Sequence, residues 1–244
     1  MLKIFSILLL SVSFSLLANV SDIKKDLKSQ ILENSKNDKV SFVVFNLDNV
    51  LIDINVRYES IFNRYLEEKP SKLVSNYFEK KSFVDVTLKE ILNDIDKLKL
   101  TPKENLKLKG FLKSEFNSST TLSSDIATSN SSKFVKDLYK SGAFIIYISK
   151  RNKKALVKTV DTLNSFEFPI GVNNTILIMN KDEASQNLER NILSKWIRMG
   201  KIIAVFNNNL KVLKSLKPYF KANQLFYINS QKIKDEKIKT IRGF

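Results

Sequence analysis

The sequence predicts an α/β fold: a parallel sheet with helices on both faces and a helical module inserted after the first strand. Three observations predict it. Val40 to Phe45 is an unbroken apolar run rich in β-branched and aromatic residues, the pattern of a strand buried on both faces. From Ser132 onward, apolar strand-like runs alternate with helix-length stretches, the spacing of right-handed βαβ units. Between the two, Asn55 to about Phe116 carries its apolar residues at helical spacing. Such a sheet is Rossmann-like, and its ligand site lies beyond the C-terminal ends of the strands.

The elements follow in order. Residues 1–18 read as a secretory signal peptide, with Lys3 as the positive start, Ile4 to Leu17 as the apolar core and Ala18 as the last residue before cleavage. That run is shorter than the roughly 20 residues needed to span a bilayer. Val20 to Asn37 has a weak helical period. The strand Val40 to Phe45 comes next, and Asp53 leads into the insert. Thr87 with Glu90 forms a helix-capping pair, and Thr101-Pro102 starts a further helix with proline at its favoured first position. Four helices are expected before a Ser/Thr/Asn-rich linker, Asn117 to Ser132, in which Asp125 reads as a turn residue. Strands are then expected at Ala143–Ile148, Thr175–Met179, Lys201–Phe206 and Gln224–Ile228. A long helix is expected from about Glu183 to Met199, with Trp196 in the core. The division is 1–18 signal peptide, 19–54 and 130–244 α/β core, and 55–129 helical insert and linker.

Composition removes whole classes of chemistry. The 244 residues include neither Cys nor His, which excludes disulfides, thiolate metal sites and Ser-His or Cys-His nucleophile systems. Any catalysis would rest on carboxylates, Lys, Ser/Thr or Tyr. The net charge is +16, which attracts polyanions. Arginine, the residue suited to bidentate phosphate and base recognition, occurs only at Arg57, Arg64, Arg151, Arg190, Arg198 and Arg242. No specific nucleic-acid partner is expected.

The strand ends carry a set of motifs. The first reads Asn46-Leu47-Asp48-Asn49-Val50-Leu51. A second strand closes in Tyr147-Ile148-Ser149-Lys150-Arg151, followed downstream by Phe168-Pro169. A third closes in Phe206-Asn207-Asn208-Asn209-Leu210. In order and position these resemble the motifs of the haloacid dehalogenase superfamily of phosphohydrolases, in its secreted or periplasmic acid-phosphatase-like group, with degenerate catalytic positions. The resemblance runs from Val40 to the C-terminus, and the insert stands where a cap module would.

The resemblance implies roles residue by residue. In the family the first Asp attacks phosphorus; here that position is Asn46, a neutral amide and a poor nucleophile. The second Asp is the general acid and base; here it is Asp48. Ser149 takes the phosphoryl-binding position, and Lys150 and Arg151 beside it would form an anion pocket at a helix start near Asn152. Lys181, Arg190 and Lys195 compete for the family's Lys position, with Lys181 placed in the phosphate-binding set. The metal positions are Asn46, Asp48 and Asn208, with Asn207 and Asn209 beside the last. Mg²⁺ prefers hard anionic oxygens, so no cofactor is expected, and Mg²⁺ only if the protein is active. The expectation is an exported, periplasmic or secreted protein, catalytically impaired, that binds a small phosphorylated or anionic ligand. Two alternatives stay open: an active Mg²⁺-dependent phosphomonoesterase with an altered site, and an envelope scaffold binding an anionic polymer.

Overall fold

The computed structural model describes residues 19–81, 83, 86–116, 118–180, 193–221, 223–229 and 237–244. Residues 1–18, expected to be a signal peptide, Lys181, Arg190 and most of the helix expected from Glu183 lie outside them. Of that helix, residues 193–196 are helical and 197–199 form a turn.

Six strands make one parallel sheet. In chain order they are β1 (Ser41–Asn46), β4 (Phe144–Asn152), β5 (Thr175–Asn180), β6 (Lys201–Asn207), β7 (Leu225–Ile228) and β8 (Ile238–Ile241), and in space β5-β4-β1-β6-β7-β8. The apolar runs explain the arrangement: β1 and β6 are buried along most of their length and sit at the centre. β8 was not expected, because Ile-Lys-Thr-Ile is too short a run to stand out. β4 also runs on past its expected end at Ile148, pairing with β5 as far as Asn152 through a register shift. Ser149, Lys150 and Arg151 are therefore strand residues, and the helical stretch begins just after Asn152, as expected.

Two cores flank the sheet. One packs α1 (Val20–Lys36) and α7 (Ser131–Lys140) through Leu27, Ile31, Phe134 and Leu138 against Val43, Phe45 and Phe206. The other packs Leu193, with Leu213 and Leu216 of α9 (Leu210–Leu216), against Phe42, Val44 and Val205. Trp196 sits against this second core, its ring 5.1 Å from Phe42 and 5.4 Å from Phe144. α8 (Leu156–Ser165) follows β4 after a short 3-10 turn.

The insert has a third core of its own. Its helices are α2 (Asn55–Glu68), α3 (Lys72–Lys80), α4 (Leu88–Ile95), α5 (Pro102–Glu115) and the short α6 (Ser119–Leu122), one more than expected. Ser118 creates the extra turn, accepting a bond from the Thr121 amide. Both capping boxes are formed, Thr87 with Glu90 and Thr101 with Glu104. Ile61, Phe62, Ile91, Ile95, Leu108 and Leu112 fill the centre. An antiparallel pair, β2 (Ile52–Asp53) with β3 (Ile126–Ala127), brings the two ends of the insert together. Asp53 leads into it as expected, accepting from the Asn55 amide at 2.9 Å. Among the described residues no helix is long and apolar enough to cross a membrane.

One close approach is tight. A Cβ at Gly200 would lie 2.5 Å from a ring carbon of Phe42 and 2.7 Å from the Val40 carbonyl oxygen, while one at Gly110 meets nothing within 4 Å. Gly200→Ala is expected to destabilise by about 1–3 kcal/mol. Gly110→Ala, inside α5, is expected to stabilise by about 0.5–1 kcal/mol. Urea unfolding of the two variants measures both, and equal effects would contradict this packing.

Candidate functional site

β1 lies between β4 and β6, so the strand ends at Asn46, Ser149–Arg151 and Asn207 come together at one edge. After Asn46 the backbone makes a tight turn. The amides of Leu51 and Ile52 both reach the Leu47 carbonyl, at 2.9 and 3.0 Å. Asn49 takes a left-handed conformation there (φ 55°), which Asn tolerates better than most residues. This turn folds Asp48 back across the strand ends.

The amides divide into two groups. Asn207 and Asn209 are engaged in local turns. Asn207 Oδ1 accepts from the Asn209 amide at 2.7 Å, and Asn209 caps α9 by accepting from the amides of Lys211 and Val212. Asn208 instead faces Asn46. The Asn46 side-chain nitrogen donates to Asn208 Oδ1 at 3.0 Å and to the Asp48 main-chain oxygen at 2.9 Å. An N–H₂ group thus joins two oxygens that a cation could otherwise bridge. Asn46, Asp48 and Asn208, the expected metal positions, are together, but their only carboxylate is Asp48. Among the described residues no group of three or more His, Cys, Asp or Glu side chains is placed to hold a metal ion.

Asp48 is occupied. Its Oδ1 accepts from Arg151 Nε at 2.8 Å and Nη2 at 2.6 Å, and from Arg57 Nη2 at 3.4 Å. Asp125, fully buried, completes a ring. It pairs with Arg57 through Nε and through Nη2 at 2.6 Å, and with Arg151 Nη2 at 3.0 Å. The Arg151 Nη1 donates to Thr159 at 3.3 Å, and the Arg57 guanidinium lies 5.4 Å from the centre of the Phe116 ring. Two arginines and two aspartates alternate, so their formal charges cancel. Burial pushes the Asp48 carboxyl up, but the charges of Arg151 and then Arg57, with their hydrogen bonds, outweigh it and hold the pKa below the ordinary value.

Three sequence expectations are corrected here. Arg151 is not an open anion ligand, because both of its faces toward the site are met by carboxylates. Lys150 does not join Ser149 and Arg151; in an extended strand alternate residues point to opposite sides, and Lys150 is exposed between two buried neighbours. Asp125 is not a turn residue on the surface but an ion-pair partner at the base of the insert. Ser149 is buried too, its Oγ accepting from the Arg151 amide at 3.1 Å. The helix-start pocket is replaced by a local cap, Asn152 Oδ1 accepting from the Lys154 amide at 3.0 Å.

Sequence reasoning missed Arg57 as a site residue. A signal was there: Arg57 stands one helical turn before Ile61, on the apolar face of α2, where a charge demands a buried partner. Breaking such a pair leaves an uncompensated charge. Arg57→Ala is expected to cost about 3–5 kcal/mol, and Arg57→Leu with Asp125→Leu much less than the sum of the two single changes. Denaturant unfolding of the three variants measures this, and simple additivity would contradict the ring.

No protein-family model matches the chain, and no curated protein matches it in sequence. Solved structures do match in shape. A Clostridium difficile protein named as a phosphatase aligns with a TM-score of 0.57 at 11% identity, over 84% of this chain and 95% of its own. A Thermotoga maritima protein named as a β-phosphoglucomutase gives 0.55 at 10%, over 84% and 94%. A dehalogenase in an intermediate complex gives 0.50 at 13%, over 84% and 93%. With the six-stranded parallel sheet, the insert after β1 and the polar strand ends, these likenesses show that the chain shares the α/β fold of these proteins.

Proposed function

We propose that this chain is an exported protein of the phosphohydrolase fold that does not transfer phosphoryl groups, and that its strand-end site joins the insert to the core. One observation carries the proposal: Asp48, the residue that would act as general acid and base, is held by Arg151 and Arg57. A carboxyl kept ionised by two guanidinium groups accepts hydrogen bonds but has no proton to give near neutral pH. Asn46 supports the same reading, since its nitrogen is spent on two oxygen acceptors and an amide is a poor nucleophile.

The donor set does not suit Mg²⁺. That ion prefers anionic oxygens in octahedral geometry, and the positions here supply one carboxylate and two neutral amides, beside two guanidinium charges. No step through a metal is therefore assigned. A phosphorylated ligand reaching Arg151 would have to displace Asp48, so anion binding at this edge is expected to be weak. Export rests on the apolar stretch Ile4 to Leu17 behind Lys3.

The test is phosphate release from p-nitrophenyl phosphate with and without Mg²⁺. The wild-type chain is expected to stay at background. Asn46→Asp with Asn208→Asp is expected to gain a Mg²⁺-dependent rise in Tm without turnover, because Asp48 stays paired. Mg²⁺-dependent turnover by the wild type that Asp48→Asn abolishes would overturn the proposal.

A further inference from the structure

The end of the sheet remote from Asp48 has a different character. No Asp or Glu occurs between Arg190 and Lys234. That span contributes the turn before β6, the start of β6, helix α9 and the loop into β7. It places Lys195, Arg198, Lys201, Lys214 and Lys221 on the surface, all exposed. Among the described residues Lys195, Arg198, Lys214 and Lys221 have no ion-pair partner, and the Lys201 ammonium reaches only the neutral Asn34, at 3.5 Å. Asp235 and Glu236, which follow this span, lie outside the described residues, and Asp38, ahead of β1, stands beside Lys39.

Apolar side chains stand exposed in the same loops. Met199 is 66% exposed, Tyr219 50%, Val40 45% and Ile197 42%. Hydrogen bonds tie these loops into one surface. The Lys201 amide donates to the Val40 carbonyl at 2.9 Å. The Lys221 amide donates to Gln224 Oε1 at 2.7 Å, and Gln224 Nε2 donates to the Ile202 carbonyl at 2.9 Å. The loops before β6 and β7 therefore lie side by side, held by the ends of adjacent strands.

We propose that this end of the sheet docks on an anionic membrane surface. The cations would face lipid phosphates, while Met199 and Ile197 would enter the interfacial layer between them. The apolar residues decide between partners. A polyanion dissolved in water attracts lysines equally well but offers nothing to a methionine or an isoleucine; the headgroup layer of a bilayer does. The surface is a rigid edge of the core, so docking needs no rearrangement of the ring at the opposite end.

Co-sedimentation of the full chain with phosphatidylcholine vesicles, containing or lacking phosphatidylglycerol, tests this. Residues 4–17 are themselves apolar, so every comparison is between chains that share them. Wild type is expected to prefer the anionic vesicles, with the preference lost in high salt. Lys195→Gln/Arg198→Gln/Lys221→Gln is expected to lower affinity for them about tenfold or more. Ile197→Ser/Met199→Ser is expected to lower it about tenfold. All five positions are exposed, and an unchanged Tm confirms that the variants are folded. Equal binding by the three chains overturns the proposal. So does an apolar variant that binds like wild type while heparin releases both, since the partner is then a soluble polyanion.

Discussion

The ring of Asp48, Arg151, Asp125 and Arg57 is the constraint on which the rest of this structure depends. Its members come from four places: the turn after β1, the end of β4, the chain returning from the insert, and the first turn of α2. Each arginine would be costly to bury alone. Each is tolerated because two carboxylates meet it, and the carboxylates are fixed in turn by the arginines. The insert is therefore joined to the core by charges as well as by its β2–β3 base.

The same ring carries the proposal that this chain does not transfer phosphoryl groups. At this edge a working phosphohydrolase would need anionic oxygens for a cation and a carboxyl free to move a proton. Here a side-chain amide bridges the oxygens of Asp48 and Asn208, and the one carboxylate is turned toward guanidinium groups. Asn46, Asp48, Asn207 and Asn208 each find a side-chain partner or a turn bond within the chain. Even the Tyr147…Phe168-Pro169 pattern has an internal use: the Tyr147 hydroxyl donates to the Pro169 carbonyl at 2.9 Å, and its ring meets Phe168 edge-on.

The fold was legible in the sequence because it is written in periods. The continuous run Val40–Phe45, the capped helices at Thr87 and Thr101 and the strand–helix alternation all report local structure, which neighbouring residues determine. Asn46, Asp48 and Asn208 were legible because they follow strands directly. The ring was not. Asp48 and Arg57 lie near each other in sequence, but Asp125 and Arg151 reach them only once the insert has folded back and β4 has paired with β1. Arg151 read as an anion ligand because it stands beside Ser149 and just before a helix start; its partners in space are carboxylates. β8 was missed because four residues of mixed polarity give no clear period.

A carboxyl titration of Asp48 tests the account most directly. In the folded chain its pKa is depressed by the two arginines. Its contribution to stability is therefore complete above the pKa it has when unfolded, and is lost only as pH falls through the lower folded value. Following the Asp48 side-chain carboxyl carbon by NMR, we expect it to remain ionised as acid is added until below the usual carboxylate range, with Arg151→Lys returning it toward that range. An Asp48 that titrates at or above the ordinary value in the wild-type chain would show that the ring does not hold it, and would contradict the account.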